Sequence, residues 1–447
     1  MCWSLSSPPT LATLYNPTAR GLVTMHTRRR FVRRTLGPLV VGIASSLSEP
    51  VVHAQTRGRS YRYSLLVKGG RVIDPAQGLS APRDIAVSGT KIAQIANSIP
   101  RSEALNVIDA SGRIVTPGWI DVHVHVYDGV APLGIPADPN CIAKGVTTAI
   151  DAGSAGAHTF PGLRKYVINT AETRILALLN ISVVGQSTLS RDNPWGELLD
   201  LRYANAALAA RTIERHRDVI VGMKVRLTRN IAGEHDLEAL RRAREAADAA
   251  ALPLMVHIGG SHSTVPEILS LMKPGDVITH SFRGGEGGIL DDDGRVHDEI
   301  LESVASGVHL DIGHGAGSFS FDTAEAALEQ GLMPGTISSD VHQFNVHGPV
   351  FDLATTVSKF LYLGLTLEEA IRRVTSNPSQ VFRRLNQLGT LREGSEADIA
   401  VFSLDEGEFE LVDAVGSTRT GRRMLHPVAT IKAGQLYGSA SIPTERL

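Results

Sequence analysis

Between about Thr116 and Gly389, eight short apolar runs alternate with helical stretches, and this alternation restricts the fold more than any other feature of the chain. The runs are IDVHVHV, VTTAIDAG, RILALLNISVV, VIVGMKVRL, PLMVHI, DVITHSF, VHLDIGHG and GTISSDVH. Strands that alternate with helices form parallel βαβ units. Eight such units in about 270 residues predict an α/β fold, a (β/α)8 TIM barrel over residues 116–389. ELLDLRYANAALAARTIERH and DLEALRRAREAADAAA carry the apolar stripe expected of its outer helices. Short alternating strands with Gly and Pro turns flank the barrel on both sides, as in SLLVKGGRVID before it and ADIAVFSL after it. Residues 55–115 and 390–447 are therefore expected to pair into one small composite β-sandwich.

Residues 1–54 read as an address. From Met25 an Arg-rich start is followed by an apolar run, Leu36 to Leu47, and then by Val52-His53-Ala54 before Gln55. Those are the three parts of an export signal. Thr27-Arg28-Arg29-Arg30-Phe31-Val32-Arg33 resembles the twin-arginine motif, which implies a bacterial protein exported folded to the periplasm or beyond. The apolar run is too short to span a bilayer core of about 30 Å, so no stable membrane anchor is expected.

Charge narrows the partners. The chain has 44 Lys plus Arg against 46 Asp plus Glu; residues 1–54 hold six Arg and one Glu, leaving 38 basic and 45 acidic side chains, a net of -7. No basic field recruits nucleic acid or an anionic membrane, which points to a small-molecule substrate. Cys2 and Cys141 cannot form a disulfide framework, and Cys141 reads as a small buried hydrophobe.

The histidines carry the chemistry. His123 and His125 stand two apart at the end of the first barrel run, so both point to one face of the strand and clamp one metal ion. Two ordinary core imidazoles would instead bury polar rings in an apolar run. Lys224, His257, His280 and Asp340 occupy corresponding strand ends, where catalytic groups of such barrels lie. Around them, Ser154 ends the second run, Arg226 shares a face with Lys224, and Arg283, His314 and His342 fall near the expected mouth; each is a candidate substrate contact. The cluster Gly284, Gly285, Gly287 and Gly288 reads as a rim loop, since it lacks the Lys and Ser/Thr of a phosphate cradle. Asp291, Asp292 and Asp293 read as a solvated loop.

The motifs TPGWIDVHVH, GMKVRL, MVHIG, VITHSF and ISSDVH resemble those of the amidohydrolase superfamily, over roughly Ser64 to Gly434. KVRL, PGDVITHSF, GGILDDDGRV, DIGHGAGSFSF and NVHGPVFDLATTVSKF are similar to its dihydroorotase-like deacetylase branch. The resemblance implies two divalent metal ions, Zn2+ by default, with Lys224 carboxylated and its carbamate between them. It implies His123, His125 and Asp340 on the more buried ion and His257 and His280 on the more exposed one. A bridging hydroxide would attack a carbonyl carbon, with Asp340 moving the proton to the leaving group.

Dihydroorotases continue the motif as HxHxR, whereas Tyr127 stands here in place of that Arg, as a residue expected to line the pocket. The branch elsewhere reads HCF where this chain has Ser281, and often lacks an Arg at the position of Arg283. The expected reaction is hydrolysis of an amide or ester acyl bond in a small carboxylate-bearing molecule, such as an N-acyl amino acid or an acetylated hydroxy acid. Two alternatives stay open: a cyclic amidase or dipeptidase on the same metals, and a barrel that serves as a non-catalytic scaffold. Association into homo-oligomers is also left open.

Overall fold

The computed structural model describes residues 60–189 and 196–437, and the backbone of 444–446. The expected leader, residues 1–54, lies outside the described residues. The chain begins with β1 (Tyr63–Asp74), β2 (Leu79–Ser88), β3 (Lys91–Ala96), β4 (Ala104–Asp109) and β5 (Ile114–Pro117). It continues through β6 (Trp119–Val124), β7 (Val146–Gly156), β8 (Arg174–Asn180), β9 (Ile220–Arg226), β10 (Leu254–His257), β11 (Val277–Thr279) and β12 (His309–Asp311). It ends with β13 (Ile399–Val412), β14 (Thr418–Lys432), β15 (Gln435–Tyr437) and β16 (Thr444–Arg446).

β6 to β12 form a curled, seven-stranded parallel sheet whose neighbours follow chain order. Parallel sheets with both faces covered need continuous apolar strands rather than alternation, and all eleven residues of β7 are buried. Seven of the eight expected strands are present. The eighth run, GTISSDVH, is not a regular strand: it makes isolated bridges, Asp311 with Thr336 and Val124 with Val341. Its regular ladder is interrupted because Asp340 takes a left-handed φ of 47°, while the Ser338 and Ser339 hydroxyls bond the carboxylates of Asp311 and Asp121. The segment nonetheless donates from Asp340 N to His123 O at 2.7 Å and accepts at Thr336 O from Ile312 N at 3.2 Å. It thus touches the first and last strands of the sheet.

Both ends of the chain meet in a second, nine-stranded sheet of order β15-β14-β13-β5-β1-β2-β3, with β4 alongside β1 and β16 alongside β4. The join is antiparallel, β5 to β13, with Ile399 opposite Pro117 and Phe402 opposite Ile114. Its core draws Leu65, Val67, Val87 and Val115 from one end and Ile399, Val401 and Ile431 from the other.

The first outer helix starts later than its apolar stripe suggests. Asn205 caps it by accepting from Leu208 N, so the regular helix is Ala206–Arg215. Glu197 lies outside it, in a left-handed turn with φ 42°. The helix Asp236–Ala250 matches its expected span.

The two sheets are joined where β5 runs into β6. The rings of Trp119 and Phe402 stack with centroids 4.2 Å apart, both fully buried. Trp119 Nε1 donates to Thr116 Oγ1 at 3.0 Å, and Arg174, at the start of β8, donates to Asp398 at 2.6 Å and pairs with Glu396. Phe402→Ala is expected to destabilise the protein by about 3–5 kcal/mol, read as a lowered urea midpoint. An unchanged midpoint would show that the stack does not hold the sheets together.

Candidate metal centre

At the C-terminal ends of the parallel strands, β6 brings in His123 and the residue after it brings in His125, with ring centroids 5.5 Å apart. β10 ends in His257, and His280 follows β11; their centroids are 4.1 Å apart, and His280 lies 5.0 Å from His123. β9 supplies Lys224, fully buried, with Nζ 3.4 Å from His123 Nε2 and 3.4 Å from Met255 Sδ. Asp340 Oδ1 stands 3.1 Å from His125 Nε2 and 3.4 Å from His123 Nε2, yet has no hydrogen-bond partner among the described residues. One ligand atom each from His123, His280 and Asp340 fall within 4.8 Å of one another.

Hydrogen bonds on the far side of two of the rings, His123 and His280, set their tautomers. Thr279 Oγ1 donates to Asp311 Oδ2 at 2.7 Å, so it accepts from His123 Nδ1 at 2.8 Å. Gly313 O accepts from His280 Nδ1 at 2.7 Å. With the protons on Nδ1, Nε2 of both rings offers a lone pair to the cluster, the tautomer that a metal ligand requires. His125 Nδ1 meets Ser154 Oγ at 2.9 Å. Asp311 also accepts from Thr336 at 2.6 Å and Ser338 at 2.8 Å, which anchors the network.

Electrostatics favour neutral nitrogens. Burial first, and then neighbouring cations, hold His123, His257 and His280 well below the usual imidazole range. Burial brings His125 to about 3 and Lys224 down to about 7, and pushes Asp340 up to about 6. Lone pairs that face one another unprotonated repel unless a cation sits among them. The donor set, imidazoles with a carboxylate, suits Zn2+ and similar divalent ions. His280 and Asp340 hold left-handed φ values of 65° and 47°, strain that concentrates at functional positions. A Cβ at Gly313 would come within 2.4 Å of Thr279 Oγ1 and 3.0 Å of His123 Nδ1, so only glycine lets the chain press against the cluster there.

The six expected ligands come together; the expected substrate contacts do not all do so. The cluster opens into a cavity of about 210 Å³ lined also by Leu133, Gln186, Leu189, Arg226, His342 and Phe344. Arg226 and His342 are therefore in place, although Arg226 Nη1 also donates to the buried Glu197 at 3.0 Å. Ser154 orients His125 rather than lining the cavity. Tyr127 is outside it, because its hydroxyl donates to Thr159 O at 2.9 Å. Arg283 packs over Gly259, where its guanidinium fills the space a Cβ would occupy, and no carboxylate among the described residues pairs with it. His314 is turned away: its Nε2 accepts from the buried Lys359 Nζ at 2.7 Å and its ring stacks on Phe319. Sequence reasoning missed Thr279, Asp311, Gln186, Glu197 and Lys359. A charged Asp311 inside the apolar run VHLDIGHG was a usable signal; the loop positions of Gln186 and Glu197 offered none.

Residues 114–435 match the Amidohydrolase family. The chain belongs to that family. It is 38% identical over 381 residues to a deacetylase of Enterococcus faecalis, covering 84% of this chain and 99% of the relative. It is 36% identical over 365 residues to a deacetylase of Agrobacterium fabrum, covering 81% and 89%. Among solved structures, one described as an adenine deaminase superposes with TM-score 0.77 at 36% identity, covering 84% of this chain and 100% of that one. A dihydroorotase superposes with TM-score 0.76 at 34% identity, covering 84% and 97%. This amidohydrolase is a hydrolytic enzyme, and the metal-ligand types at its strand ends accord with the divalent ions typical of the superfamily.

Lys359 gives a pH signature separate from the metal cluster. Burial brings its ammonium down to about 7 from the ordinary 10.5. Between those values the unfolded chain binds the proton and the folded chain does not, so this contribution to stability is present above 10.5 and lost as pH falls towards 7. Wild-type stability is expected to rise relative to Lys359→Met by up to about 1.4 kcal/mol per pH unit in that window, read by urea denaturation. Parallel pH profiles would show that Lys359 keeps its proton in the fold.

Proposed function

We propose that this chain is a binuclear metal-dependent deacylase that hydrolyses an amide or ester acyl bond in a small, carboxylate-bearing substrate. The observation that carries this reading is Asp340 Oδ1, without a hydrogen-bond partner among the described residues and beside the imidazoles of His123 and His125. His123, His125 and Asp340 would hold one ion and His257 and His280 the other, with Lys224 between them as a carbamate. The lowered Lys224 supports that modification, since the neutral amine is the form that carbon dioxide carboxylates. Bound divalent ions lower the pKa of water from about 15.7 towards 7 and polarise a carbonyl. In the same reading, segment 336–341 completes the curled sheet as the eighth strand of a (β/α)8 barrel.

The chain's own residues do the rest. Asp340, at the edge of the cavity beside His123 and His125, is placed to accept a proton from the attacking water and deliver it to the departing nitrogen or oxygen. Arg226 lines the cavity with a guanidinium suited to a substrate carboxylate. Leu133, Leu189 and Phe344 supply an apolar wall for the substrate's side chain, and the modest cavity volume favours a small acyl group.

Asp340→Asn is expected to lower kcat by about 10² to 10⁴ with both metals still bound. Turnover within tenfold of wild type in such a loaded variant would remove the proton role. A panel of acylated amino acids, acylated hydroxy acids and cyclic imides tests the substrate class: ring substrates turned over alone would replace the deacylase with a cyclic amidase.

A further inference from the structure

Gln186 belongs neither to the metal cluster nor to the expected substrate contacts. It follows β8 with 1% of its surface exposed and lines the same cavity as Arg226 and Asp340. Its backbone is fixed on both sides: Gln186 N donates to Ser154 O at 3.0 Å, and Gln186 O accepts from Leu189 N at 3.0 Å. A Cβ on the preceding Gly185, which holds φ 60°, would come within 2.4 Å of Ser154 O, so glycine is what lets the chain lie against Ser154. Gln186 is thereby held to the residue that also orients His125.

The side chain, by contrast, is unsatisfied. Gln186 Oε1 is buried with no hydrogen-bond partner among the described residues. Among the described residues, two that line the cavity, Asp340 and Gln186, carry a side-chain oxygen in that condition. A cation answers the first. The second is the oxygen of a neutral carboxamide, whose natural complement is an N–H donor. A buried acceptor left without a donor destabilises the fold, and such groups persist where a ligand completes them.

We propose that Gln186 is a specificity-determining residue that accepts a hydrogen bond from the substrate's amide N–H, so that the enzyme favours N-acyl amino acids over the isosteric acyl esters of hydroxy acids. This rests on the deacylase reading and makes its substrate class specific. An ester places an oxygen lone pair where the amide places its N–H, so two acceptors would face each other. A site built around a hydrogen-bonding substrate group discriminates strongly against the analogue that lacks it. In the reaction, water's oxygen bonds to the acyl carbon, the C–N bond breaks, and the nitrogen leaves with the proton carried by Asp340. The N–H held by Gln186 remains on the departing amine throughout.

The test compares N-acetylalanine with O-acetyl-lactate, in both enantiomers, on metal-loaded wild type, Gln186→Leu and Gln186→Met. Metal content and thermal midpoint are read for each protein. The expected result is a fall in kcat/KM of about 10- to 100-fold for the amide in both variants, with the ester within threefold of wild type. Equal losses for both substrates, or no loss for either, overturn the assignment of Gln186 and leave the deacylase intact. Wild-type turnover of neither substrate overturns the deacylase reading and this proposal with it.

Discussion

Six polar side chains, five of them buried and His257 partly so, meet at one end of the parallel sheet with too few protons among them. His123, His125, His257 and His280 are pressed towards neutrality, Lys224 towards the free amine, and Asp340 Oδ1 has no hydrogen-bond partner among the described residues. Isolated, each group would be a costly defect. Together they form a ready set of lone pairs that a divalent cation turns from mutual repulsion into shared attraction, and metal binding of this kind contributes to folding free energy. Much of the surrounding structure serves that constraint: the left-handed turns at His280 and Asp340, the glycine at 313, and the Asp311 network that fixes the His123 tautomer.

The second sheet matters to the site through its long hairpin. β13 and β14 are joined by a turn in which Ala414 N donates to Phe319 O at 3.0 Å and Asp413 Oδ2 accepts from Phe321 N at 2.9 Å. Lys359 and His314 hold the other end of that loop. Between these anchors the chain passes Ala316, Gly317 and Ser318 along the cavity. A sheet built from both chain ends therefore fixes one wall of the site.

The clustering of the six candidate ligands was legible because they obey strand geometry. A period of two places His123 with His125, and alignment of strand ends brings Lys224, His257, His280 and Asp340 to the same level. Seven strands were legible for the same reason. The eighth was less so, because hydroxyl and carboxylate groups take part of its bonding. Substrate contacts were harder, since loop side chains answer to partners distant in sequence. Tyr127 bonds Thr159 O, and His314 is captured by Lys359, 45 positions along the chain. Glu197 sits in a run with helical periodicity, yet a left-handed turn carries it to Arg226.

Whether the cluster is a cation site is measured directly by its metal content. Inductively coupled plasma mass spectrometry of the purified protein, with a thermal melt before and after chelation, should find about two divalent ions per chain and a lower melting temperature once they are removed. A well-folded protein with no bound metal, whose melting temperature is indifferent to chelator and to added Zn2+, would contradict it.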